Sequence, residues 1–143
     1  MKYMMSLDGV DIGIGKVEIT DLTVEIYSVE IPVKRIRIYS EDYAYEFTFL
    51  TKQEYQKYND LELNKKTDIM DLIDEYDIGF VGKEDGSINS RENTEVYFTR
   101  IDTNRYILNA EIKDLGKCLI GNMTNNKNLK IEAIIDFNDI KED

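Results

Sequence analysis

One α+β domain, mainly antiparallel β, is the fold class this sequence predicts. It would form a sandwich or partly open barrel, with one or two short helices in the middle of the chain. Two observations carry that expectation. Apolar and polar residues alternate over several runs, the mark of strands with one face on a core and one in water. Two of those runs also flank a short polar turn. The 143 residues contain only one proline and eight glycines, so no stretch reads as a linker and residues 1–143 are expected to form a single globular domain.

The clearest alternation is Tyr43, Tyr45, Phe47 and Phe49 against Asp42, Ala44, Glu46 and Thr48. Leu129, Ile131, Ala133, Ile135 and Phe137 repeat it near the end, with Lys130, Glu132 and Asp136 outward. EVYFTRI, DTN and RYILNAEI read as strand, turn and strand, with Asp102 and Asn104 suited to local bonding. Tyr106, Leu108, Ala110 and Ile112 would face the core.

From Lys16 to Tyr39 the apolar parity switches three times, near Thr20-Asp21, Tyr27-Ser28 and Lys34-Arg35. Side-chain direction has period two, so each switch predicts a turn, bulge or bend. Pro32 lacks a backbone donor and predicts an edge or a bulge.

Thr51 and Glu54 have capping-box spacing, opening a short helix that carries Tyr55 and Tyr58. Thr67 would cap a second helix, TDIMDLIDEYD. At about 100° per residue, Ile69, Leu72, Ile73 and Tyr76 make an apolar stripe with Asp71, Asp74 and Glu75 opposite. The acids are the wet side of this helix; Asp74, Glu75 and Asp77 crowd its C-terminal end against the dipole, and a basic patch in the fold or on a partner would compensate them. Residues 81–93 read as a mobile loop.

Composition excludes more than it assigns. With 18 basic and 29 acidic residues the net charge is −11, unsuited to direct nucleic-acid or anionic-membrane binding. The absence of histidine removes Ser-His-Asp and Cys-His sites and the usual zinc sets. Cys118 is the single cysteine, so no disulfide forms within one chain, and its neighbours Leu119 and Ile120 favour a small buried hydrophobe. The start MKYMMSLDGVDIGIG does not read as a signal peptide, and a cytoplasmic location is expected. Gly13-Ile14-Gly15-Lys16 lacks phosphate-loop spacing and reads as strand-turn-strand. The acidic segments DEYDIGFVGKED and EDGSINSRENTE miss calcium-loop ligand positions. No cofactor, metal or catalytic constellation is expected.

What remains is acid and tyrosine. Ten tyrosines and no tryptophan accompany the carboxylates. Asp71, Asp74, Glu75, Asp77, Tyr55 and Tyr58 are the expected partner-binding residues, with Tyr97 a further exposed contact. The expected function is a small acidic, non-enzymatic binding protein that engages and inhibits a basic, nucleic-acid-handling protein. A phage anti-defence or immunity protein would act in this way. Two alternatives stand beside it: a self-assembling structural subunit of a phage-like particle, and a small-ligand-binding β-barrel, with or without carboxylate chemistry inside it.

Overall fold

A computed structural model of the chain describes residues 4–41, 43–50, 61–69, 76–82, 87–89, 94–113 and 128–142. Among these the structure is strand throughout, apart from turns and one 3-10 turn at Phe137–Asp139. The strands are β1 (Met4–Leu7), β2 (Val10–Asp11), β3 (Lys16–Ile26), β4 (Val29–Tyr39), β5 (Tyr43–Leu50) and β6 (Lys66–Asp68). They continue with β7 (Tyr76–Gly82), β8 (Ser87–Asn89), β9 (Thr94–Arg100), β10 (Arg105–Ile112), β11 (Leu129–Asp136) and β12 (Ile140–Glu142). Two six-stranded sheets result, ordered β2-β1-β11-β10-β9-β6 and β12-β3-β4-β5-β7-β8. Every ladder between named strands is antiparallel except the parallel β12–β3.

One apolar core serves both sheets. The first contributes Met5, Val96, Phe98, Tyr106, Leu108, Ile112, Ile131 and Ile135, and the second Ile19, Ile36, Ile38, Tyr45, Phe47, Phe49 and Ile78. Rings join the two layers. Phe47 lies 6.4 Å from Phe98, Phe49 meets Phe137 edge-on at 6.5 Å, and Phe137 meets Tyr106 at 5.3 Å. Each such pair adds about 0.5–1.5 kcal/mol beyond the area it buries.

The alternating runs behave as their sequences imply. Tyr45, Phe47 and Phe49 are buried and Tyr43 packs against the core; the expected faces of β10 and β11 are buried to the last residue. The β9–β10 turn is held by Asp102, whose Oδ1 accepts from the backbone N–H of Asn104 and Arg105. Gly13, at φ 73°, shapes the connection from β2 to β3, and its N–H donates to Asp11 Oδ1 at 2.8 Å. The glycine-rich stretch is thus strand-turn-strand.

Three expectations need correction. First, no α-helix occurs among the described residues. Thr67 and Asp68 lie in β6, paired with Phe98 and Tyr97, and the Ile69 N–H donates to Val96 O at 3.0 Å. Tyr76 and Asp77 lie in β7. Both ends of the expected second helix are therefore extended. β-branched Thr67 and Ile69 suit a sheet edge, and burying Ile69 completely against the core outweighs a short helical pattern. Residues 70–75, and the first expected helix with Tyr55 and Tyr58, lie outside the described residues. Second, the expected loop at 81–93 is partly strand, because β7 continues to Gly82 and β8 spans Ser87–Asn89.

Third, two of the three parity switches are not breaks. The β3–β4 ladder runs without a bulge from Lys16↔Tyr39 to Ile26↔Val29. Only Tyr27-Ser28 is a turn, with φ 51° and 65°. At the other two positions the apolar set changes faces on a continuous ribbon. Ile19 and Ile36 face inward to the shared core, while Leu22 and Val33 point the other way. The Asp21↔Lys34 pair occupies the inner face at the crossing, with Lys34 Nζ 2.7 Å from Asp21 Oδ1.

Candidate functional site

The solvent face of the first sheet is a lattice whose rows follow from strand register. One row reads Ser6, Lys130, Glu111, Glu95 across β1, β11, β10 and β9. The next reads Met4, Glu132, Asn109, Tyr97, Asp68 and so reaches β6. Apart from Ser6, which is buried, these side chains are outward because their neighbours along each strand, such as Met5, Val96, Ala110 and Ile131, are the inward set.

A groove of about 260 Å³ lies over these rows, lined by Lys66, Glu95, Tyr97, Glu111, Lys130 and Glu132, with Met4 among the others. Glu95 and Glu111 stand directly opposite one another, a like-charge pair that costs stability. Glu95 is relieved by Lys113, 3.5 Å away, although both side chains are about half exposed and the bridge contributes little. Glu111 and Glu132 make no ion pair among the described residues, even though Lys130 stands opposite Glu111 in the ladder.

The aromatic element is Tyr97. Lys66 Nζ sits 4.8 Å from its ring centroid, so the ring already holds one cation at the groove's edge. A phenol ring, a thioether and three carboxylates share the groove with the ammonium groups of Lys66 and Lys130, which leaves one net negative charge for a further guanidinium or ammonium group to meet. Such a group would take two carboxylate partners and an aromatic or apolar floor. Among the described residues, no group of three or more carboxylates or thiols is placed to hold a metal ion.

Of the expected contact residues, Asp71, Asp74, Glu75, Tyr55 and Tyr58 lie outside the described residues. Asp77 lies in β7 opposite Thr48 of β5, in the second sheet rather than in the groove. Tyr97, expected as an exposed contact, is half-buried in β9, where it lines the groove. Glu95, Glu111 and Glu132 were missed as a set, although the signal was available. Counting outward from the Asp102–Asn104 turn pairs Ile101 with Arg105 and, three alternate pairs further on, Glu95 with Glu111.

No helix among the described residues is long and apolar enough to cross a membrane. Comparison of the chain with known protein families, with curated proteins and with solved structures finds no match.

Proposed function

We propose that this is a small acidic, non-enzymatic binding protein. It engages a basic protein surface through the groove on the first sheet and inhibits that partner by covering the surface. The observation that supports this reading most is the Glu95↔Glu111 pair with Glu132 beside it. Opposite charges at that pair would be more stabilising, and Lys113 and Lys130 offset it only in part. An arginine or lysine from a partner would neutralise this pair. The net charge of −11 would steer encounter with such a partner and set its salt dependence. A partner built to hold phosphate, as a nucleic-acid-handling protein is, has the complementary surface.

The two sheets sharing one core are read as a sandwich. Its interior is filled by the rings of Tyr45, Phe47, Phe49, Phe98, Tyr106 and Phe137, which disfavours a barrel with a ligand cavity.

Neutralising the groove tests the reading. Glu95→Gln, Glu111→Gln and Glu132→Gln together should leave the circular dichroism spectrum unchanged and lose the basic proteins that the immobilised wild type retains. Equal retention by the folded triple variant would remove the groove from the function.

A further inference from the structure

Beyond Asp21 and before Val33, the β3–β4 hairpin has no neighbour on either side among the described residues. β12 pairs with β3 only at Ile19–Asp21, and β5 pairs with β4 only from Val33 to Tyr39. Leu22–Ile26 and Val29–Pro32 therefore form a two-stranded arm about 17 Å long at roughly 3.3 Å per residue. Tyr27 at its tip is 97% exposed and Val29 59%. Two-stranded ribbons are only marginally stable alone.

The arm's edges differ. A two-residue turn with both central residues at positive φ closes on a hydrogen-bonded pair, here Ile26↔Val29. Pairing then alternates, so Val24↔Ile31 and Leu22↔Val33 are hydrogen-bonded, while Glu25↔Glu30 and Thr23↔Pro32 are not. The backbone groups of Thr23 and Glu25 thus point away from β4 to the free edge of β3. On the other edge the outward positions are Glu30 and Pro32. Proline offers no donor, which blunts that edge against pairing. The edge of β3 has no such guard.

We propose that the chain pairs with a second copy of itself, antiparallel, along the free edge of β3 from Leu22 to Ile26. The segment Leu22-Thr23-Val24-Glu25-Ile26 alternates apolar and polar symmetrically about Val24. A two-fold axis at Val24 sets Leu22 of one copy opposite Ile26 of the other, and Thr23 opposite Glu25. The outward groups of Thr23 and Glu25 then meet as hydrogen-bonded pairs, twice by symmetry, and Val24 meets Val24 as the non-hydrogen-bonded pair between them. Glu25 faces a threonine, not another glutamate. Leu22, Val24 and Ile31 join their counterparts in one apolar face running through both arms.

Charge separates this contact from the basic-partner reading, from which it stands apart. Two chains of −11 repel, so added salt should tighten the pair, whereas it should loosen a basic partner.

Cross-linking at the axis tests the proposal. Residues in a non-hydrogen-bonded antiparallel pair lie about 4.5 Å apart at Cα, within the disulfide range of about 4.4–6.8 Å. In a Cys118→Ser background, Val24→Cys should oxidise to a disulfide-linked dimer, while Tyr27→Cys at the exposed tip should not. Light scattering should give a concentration-dependent dimer for the wild type and a monomer for Glu25→Pro, which removes one outward N–H and no bond of the β3–β4 ladder. Three results would overturn the proposal: no cross-link at position 24, equal cross-linking at 27, or a dimer that persists in folded Glu25→Pro. Should Glu25→Pro not fold, the comparison of the two cysteines still decides.

Discussion

The Tyr45 hydroxyl is fully buried and has no hydrogen-bond partner among the described residues. An unsatisfied buried hydroxyl is a cost that phenylalanine would not carry, so Tyr45→Phe should raise stability in urea by about 1 kcal/mol at neutral pH. Burial also pushes the Tyr45 phenol well above its ordinary value. The unfolded chain would then release this proton near pH 10 while the folded chain keeps it. The stability contributed is complete below that pH and falls above it by about 1.4 kcal/mol per pH unit. Urea unfolding at alkaline pH should show a shallower loss for Tyr45→Phe; an identical slope would place another group in control. Asp102 carries the opposite sign. The hydrogen bond from Arg105, with its charge and the turn's N–H groups, holds the Asp102 carboxyl below its usual range. Its contribution is present at neutral pH and disappears as pH falls through that lowered value. An NMR titration should find the Asp102 midpoint depressed in the wild type and closer to ordinary in Arg105→Ala.

The β3–β4 hairpin shows which elements are legible from sequence and which are not. Strands with one wet face, such as β5, β10 and β11, declare themselves because alternation and burial coincide. In β3 and β4 the alternation persists but the buried face changes, so its sign switches without a bend in the backbone. Where a ribbon leaves the core is a tertiary fact that local pattern does not encode. The segment 67–77 failed for a related reason. Ile69, Leu72, Ile73 and Tyr76 fit a helical stripe, yet pairing of Thr67 and Asp68 with β9, some thirty residues away, decided its start. Pairings such as β1–β11 and β12–β3 join the two ends of the chain and leave no local trace. Two variants probe the arm. At its root, Asp21→Ala removes the carboxylate 2.7 Å from Lys34 Nζ, a side chain only 5% exposed, and should cost about 1 kcal/mol for the lost charged hydrogen bond. At its tip, Tyr27→Asn with Ser28→Gly replaces two side chains held at positive φ and should stabilise by about 1 kcal/mol in thermal unfolding.

For the whole molecule, the closed core and the charged exterior divide the work. The rings between the sheets hold the fold, and the groove carboxylates contribute little to it. The groove was legible in part: the acid-and-tyrosine chemistry is apparent from composition, but its location followed from a hairpin register that was open to counting. The proposed function rests on attraction between an acidic face and a basic partner, and salt probes that attraction. Lysate would be passed over the immobilised wild-type chain at low and at high ionic strength, and the retained proteins identified. Basic proteins held at low salt and released at high salt are the expected outcome. Retention of neutral or acidic proteins that is indifferent to salt would contradict an electrostatic role for Glu95, Glu111 and Glu132.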